Sequence, residues 1–139
     1  MIYGFDIHGV IDTYPILFSS FSKKLKSEGH EIHIVTGRPR LECEQRVRDA
    51  GVVFDHFFSI VDYHIDNNEP SMYQKDGTWW MDNNVWVRTK GYYAEEFGID
   101  VHFDDSKEYL QHFPDTCSTV LVTENFIETF KIVTEMCAL

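Results

Sequence analysis

The sequence predicts an α/β fold, a doubly wound parallel sheet with helices on both faces. Short apolar runs alternate with stretches of helical periodicity, the runs close on polar residues, and glycines stand where the helices should stop. Residues 2–7 (IYGFDI) form an apolar run that ends on an acidic residue ahead of Gly9, the pattern of a buried strand with polar groups at its carboxyl end. Tyr14, Leu17, Phe18, Phe21 and Leu25 follow at helical spacing, with Pro15 suited to the first turn and Gly29 to the stop. EIHIVTG (31–37) is a second strand closing on Thr36. Pro39 opens a helix whose apolar stripe is Leu41, Val47 and Ala50, ended by Gly51. A third strand is expected within Val53–Ile65, and a fourth at Asp100–Phe103 after a helix with Tyr92, Tyr93 and Phe97. STVLV (118–122) is a fifth strand, and Phe126, Ile127, Phe130 and Val133 mark a closing amphipathic helix.

One segment breaks this rhythm. In residues 67–87 (NNEPSMYQKDGTWWMDNNVWV), Asp76-Gly77 is a two-residue turn signal between SMYQ and TWWM, so a β-hairpin is expected as an insertion. The whole chain, 1–139, reads as one domain carrying that hairpin. At 139 residues it should bury roughly 68–70% of its extended surface, enough for a core without metals or disulfides. Cys43, Cys117 and Cys137 are an odd number at wide spacings with no CxxC pair, which suits reduced, apolar packers better than a disulfide or zinc framework.

Charge limits the partners. The 23 Asp and Glu outweigh 12 Lys and Arg for a formal charge of −11, which disfavours extended nucleic acid because that affinity grows with the phosphates neutralised by basic residues. A small phosphorylated ligand at a locally positive site remains compatible. No run approaches the ~18 apolar residues of a membrane span. The apolar start MIYGFDIHGVI is broken by Asp6 and His8 and has no basic leader, so a cytoplasmic protein without membrane partners is expected.

Ligands of open parallel sheets sit beyond the carboxyl ends of the strands. Those ends here carry Asp6, Thr36, and Asp104 with Asp105, while Lys90 belongs to the helix before the fourth strand and is expected to open it. Lys75 and Lys107 are rivals that lack this placement. Three carboxylates, a hydroxyl and an ammonium would meet in one crevice. FDIHGVID, HIVTGR, the isolated Lys90 and HFDDS, in this order over residues 2 to 106, resemble the four motifs of the haloacid dehalogenase superfamily of phosphohydrolases. Response-regulator receivers use similar groups, but their acidic pair comes first and their lysine last.

The resemblance implies a Rossmann-like core and Mg²⁺-dependent hydrolysis of a small phosphorylated substrate, such as a nucleotide or sugar phosphate. Asp6 would be the nucleophile that forms an aspartyl phosphate. Asp6, Asp104 and the backbone carbonyl of His8 would be metal ligands, with Asp105 sharing the role or holding a metal-bound water. Thr36 and the Gly37 amide would bind a phosphoryl oxygen, and Lys90 would neutralise the crowded charge. Arg38, beside a helix start at Pro39, is a candidate substrate contact.

The departure from the motif is His8, where the family has the Asp that protonates the leaving group. Imidazole changes charge near neutrality and could serve as the acid. The alternative is a catalytically impaired, phosphate-binding module of the same fold. Asp12 is read as a helix-entry residue rather than a substitute acid. Arg40, Arg46 and Arg48 are read as a solvated helix face, as are Lys23, Lys24 and Lys26. His30, His33, His56, His64, His102 and His112 lack metal-ligand spacing and are given strand and surface roles. Tyr73, Trp79, Trp80 and Trp86 either stack on a substrate or pack the hairpin onto the body. Only one helix and a strand fit between Asp6 and Thr36, so no cap domain follows the first motif. The substrate itself, the hairpin or a second subunit of a homo-oligomer would then close the site.

Overall fold

The computed structural model describes residues 1–137, without the side chains of Val133, Thr134 and Cys137, so the expectations for Val133 and Cys137 lie outside the described residues. The elements are β1 (Ile2–Phe5), α1 (Pro15–Ser27), β2 (Glu31–Thr36), α2 (Arg40–Asp49), β3 (His56–Ser59), α3 (Ile60–Asp66), β4 (Tyr73–Lys75), β5 (Thr78–Trp80), α4 (Asn83–Phe97), β6 (Val101–Asp104), α5 (Lys107–Leu110), β7 (Ser118–Leu121) and α6 (Glu124–Cys137). Five strands form a parallel sheet in the order β3-β2-β1-β6-β7, and β4 and β5 pair as a separate antiparallel hairpin. The expected α/β architecture is the observed one. No helix among the described residues is long and apolar enough to cross a membrane.

The differences lie at element boundaries. The third strand lies within Val53–Ile65 as expected, at His56–Ser59, and ends where the Ser59 hydroxyl accepts from the Asp62 amide and starts α3. The hairpin ends at Trp80 rather than Val87, since Asp82 caps the Asn84 and Val85 amides and opens α4. Val47 of the expected apolar stripe of α2 is buried, but Leu41 is 98% exposed and Cys43 is buried in its place. Cys43 and Cys117 are buried free thiols, as expected.

Two cores flank the sheet. On one face Phe5, Phe18, Phe21 and Phe103 form an aromatic cluster with ring centroids 5.2–5.8 Å apart for the pairs Phe5–Phe18, Phe5–Phe103, Phe5–Phe21, Phe18–Phe103 and Phe21–Phe103. On the other, Val35 packs with Tyr93 and Ala94 of α4 and with Ile99. Phe18 is fully buried and touches three of these rings' edges or faces. Phe18→Ala should therefore cost about 3–5 kcal/mol in urea denaturation. A loss under about 1 kcal/mol would mean that the cavity collapses and the cluster is not the keystone of this face.

Candidate active site

The strand order makes the site. From β1 the sheet grows toward β2 and β3 on one side and toward β6 and β7 on the other, so the crevice at the carboxyl ends of β1 and β6 is a topological switch point. Phe5 pairs with Phe103, and the Asp6 amide donates to the Phe103 carbonyl at 3.0 Å, which sets Asp6 and Asp104 on adjacent strand ends. A loop, Ile7–Ile11, with His8 extended and Gly9 left-handed and closed by the Asp12 amide on the Ile7 carbonyl, follows Asp6, whose Oδ1 accepts from the Ile7 amide at 2.8 Å. Gly9 in that loop has φ +77°, and a side chain there would run into the Asp105 carboxylate, so the close approach of the two motifs needs glycine.

Lys90 joins the two acids. It stands in mid-helix rather than at the helix start, because the Asp82 cap begins α4 earlier than the sequence suggests. Only 1% exposed, its Nζ donates to Asp104 Oδ2 at 2.8 Å and lies 3.1 Å from Asp6 Oδ1. The ammonium also sits 4.3 Å over the Tyr109 ring. Its rivals Lys75 and Lys107 are both exposed. Asp104 is fully buried, and three donors hold it: Lys90 and His102 Nε2 (3.0 Å) on Oδ2, and the Ser106 amide (3.1 Å) on Oδ1. A carboxylate offers about four lone-pair directions, so one on Oδ1 remains for a further partner.

The three charges divide the titration unequally. Burial pushes Asp6 up to about 7, with Lys90 opposing and Asp104 reinforcing the rise. Burial would raise Asp104 too, but the His102 hydrogen bond and Lys90 hold it at about 2. Burial alone would lower Lys90, and the two carboxylates more than offset that and raise it.

A cleft of about 580 Å³ opens above these groups, lined by Asp6, His8, Thr36, Gly37, Arg38, Lys90 and Asp105. Every residue of the four motifs singled out from the sequence therefore reaches one cavity, except Asp104, which is not among its lining, and Trp79 and Trp80 border a separate pocket. Thr36 is buried at the end of β2 and the His8 side chain is 89% exposed at the mouth, its Nδ1 4.0 Å from Asp12 Oδ2. Asp12 does not cap α1, whose start at Tyr14 has no side-chain cap; it accepts from Arg46 at 3.0 Å, and both line the cleft. Arg46 is exposed, as expected of a solvated helix face, and in addition pairs with Asp12 beside the cleft, whereas Arg40 and Arg48 pair with Glu44. Asp6, Asp104 and Asp105 each offer an oxygen within 4.8 Å of the others. Asp105 is exposed and the other two are buried. This all-oxygen set fits a hard divalent cation such as Mg²⁺.

Comparison with family models, curated proteins and solved structures finds no match.

Two residues of the site, Tyr109 and His102, escape the linear reading, and Trp86, named there among the aromatics that stack or pack, stands elsewhere than expected. Trp86 lies at the start of α4 rather than in the hairpin, lines the cleft, and donates from Nε1 to Tyr109 Oη at 2.7 Å. Its ring covers Gly37 so closely that a Cβ there would meet Trp86 Cζ2 at 2.7 Å. Tyr109 carries no signal in the sequence. His102 does, since it shares a strand face with Asp104 two residues on.

A carboxylate must be ionised to bind a cation, so the raised Asp6 predicts a pH dependence. Above about pH 7 Asp6 is ionised in the metal-free protein. Below that, a proton must leave first, and affinity for Mg²⁺ should fall by up to ~10-fold per pH unit. Calorimetric titration between about pH 6 and pH 8 measures this, and a flat profile would show Asp6 ionised throughout.

Proposed function

We propose that this protein is a Mg²⁺-dependent phosphohydrolase of the haloacid dehalogenase type. It would act on a small phosphorylated metabolite, such as a nucleotide or sugar phosphate, through an aspartyl phosphate. The observation that carries this reading is the buried Lys90 ammonium bridging Asp6 and Asp104 at the floor of a cleft rimmed by Thr36, Gly37 and Arg38. One acid is held in place by another through a fixed cation, beside donors suited to phosphoryl oxygens.

Both contacts to Asp6 fall on Oδ1, so Oδ2 is the oxygen left to attack phosphorus. As the Oδ2–P bond forms, the ester P–O bond breaks and the leaving oxygen takes a proton from the His8 imidazolium. Water then attacks phosphorus, gives its proton to His8, and the Asp6–P bond breaks to release phosphate. Thr36 Oγ1, the Gly37 amide and Arg38 bind the phosphoryl oxygens throughout. Mg²⁺, held by Asp6, Asp104, Asp105 and the His8 carbonyl, would supply Lewis-acid charge against the repulsion between carboxylate and phosphate. The hairpin is joined to the cleft through Trp86, which also borders a small pocket with Trp79, Trp80 and Met81. This adjacency supports a role for the hairpin in covering the substrate.

A second reading, a phosphate-binding module without turnover, is favoured by His8 itself: the motif acid is replaced and the ring faces solvent. Asp6→Asn should lower turnover at least ~10³-fold while leaving the fold intact, and near-wild-type activity would remove Asp6 from the reaction. His8→Ala should slow alkyl phosphates by about 10²-fold and aryl phosphates much less, because only the poorer leaving group needs the proton. Equal slowing of both would assign His8 to shaping the loop. If wild type hydrolyses nothing with Mg²⁺ and His8→Asp does, the binding module is the better description.

A further inference from the structure

Glu31, His33 and His56 form a second cluster, at the amino-terminal ends of β2 and β3 and away from the cleft. Residues two apart on a strand share a face, so Glu31 and His33 project together, and the parallel register sets His56 directly beside His33. The two imidazole rings have centroids 4.5 Å apart. His56 Nε2 lies 3.1 Å from Glu31 Oε1, and His33 Nε2 lies 3.4 Å from Oε2 of the same carboxylate. All three ligand atoms fall within 4.8 Å of one another.

The second, independent observation is on His33. It is 2% exposed, its Nδ1 lies 2.6 Å from Tyr93 Oη, and its Nε2 has no hydrogen-bond partner. Buried polar atoms are normally satisfied, and an orphan costs its full desolvation penalty. In the tautomer whose Nδ1 proton goes to Tyr93 Oη, Nε2 turns a bare lone pair toward the Glu31 carboxylate, which is the form that ligates a cation. An ion between nitrogen and carboxylate would satisfy both acceptors of that tautomer.

We infer that Glu31, His33 and His56 bind a zinc-class divalent transition ion, at a site separate from the all-oxygen cluster of the cleft. Neighbouring ligand atoms of tetrahedral zinc, at 2.0–2.1 Å from the ion, stand roughly 3.3–3.4 Å apart; His33 Nε2 lies 3.4 Å from Glu31 Oε2 and His56 Nε2 lies 3.1 Å from Oε1, so both imidazoles approach the carboxylate at that range, through different oxygens of it. Two imidazoles and one carboxylate select such an ion over Mg²⁺, which prefers oxygen. Tyr93 is a positioning residue that fixes the ring and tautomer of His33, as outer-shell partners of ligating histidines do. His56 and Glu31 are partly exposed, so ions reach the site and the fourth position opens to water.

The test is Co²⁺ titration of the full chain in excess Mg²⁺, which keeps the cleft supplied with its preferred ion. Wild type should develop the intense visible absorption of four-coordinate Co²⁺ at one equivalent, bleached by Zn²⁺. His56→Ala, which removes an exposed side chain and should leave the far-ultraviolet circular dichroism unchanged, should abolish the band. Tyr93→Phe should weaken Co²⁺ binding about tenfold. Asp6→Asn should keep the band. No band in wild type, an unchanged band in His56→Ala, or loss of the band in Asp6→Asn would each overturn the assignment and leave the cluster as a plain histidine–glutamate contact.

Discussion

The ion triad of Asp6, Lys90 and Asp104 is the constraint around which the rest of the structure is arranged. Removing an ion from water costs several kcal/mol even after relaxation, and here three are removed together. Lys90 offsets much of that by touching both acids, yet two carboxylates and one ammonium still sum to one negative charge. Burial is the main cause of the elevation of Asp6 to about 7, and the Asp104 charge adds to it against the pull of Lys90. A proton relieves both the desolvated carboxylate and the surplus charge, and a divalent cation bound there would relieve them too.

The fold supplies the triad from three directions that only tertiary structure brings together. β1 and β6 are far apart in sequence and adjacent in the sheet, and their register places Asp6 beside Asp104 to within one residue. The aromatic cluster under Phe5 and Phe103 fixes both strands from one face. From the other face α4 delivers Lys90, whose aliphatic stem is the part of a lysine that tolerates burial. Gly9 and Gly37 then let Asp105 and Trp86 close in from either side of the strand ends.

How much of this the sequence discloses depends on what kind of signal each residue leaves. Asp6, Thr36 and Asp104 are legible because a polar residue closing an apolar run marks a strand end, and strand ends in a parallel sheet converge. Lys90 is legible only through motif order; its depth in α4 is not, because the Asp82 cap competes with the turn-like reading of NN at 83–84. Ile60–Ile65 looks like strand on apolar content, and the single hydroxyl of Ser59 converts it to helix. Leu41 fits a helical stripe on paper, but α2 rotates to bury Cys43 and Val47, and local periodicity over so short a helix cannot fix that rotation. Tyr109 and the Glu31–His33–His56 cluster depend on cross-strand and inter-element neighbours, which linear spacing does not encode.

One helix face shows how these distant features are tied to each other. Trp86, Thr89, Lys90 and Tyr93 fall at i, i+3, i+4 and i+7 of α4, the spacing of a single inward stripe, yet all four carry polar atoms usually kept out of cores. Each meets a specific partner: Trp86 with Tyr109 at 2.7 Å, Thr89 with His64 at 2.8 Å, Lys90 with the two acids, and Tyr93 with His33 at 2.6 Å. An apolar stripe would tolerate sliding or rotation at the cost of some contact area. A polar one does not, since a shift of α4 by one residue would leave several buried groups unpaired at once, each at about 1–3 kcal/mol or more for the charge. The helix is thereby locked in register between the cleft and the Glu31–His33–His56 cluster. The lysine at the floor of the cleft and the tyrosine behind His33 are set by the same packing of one helix.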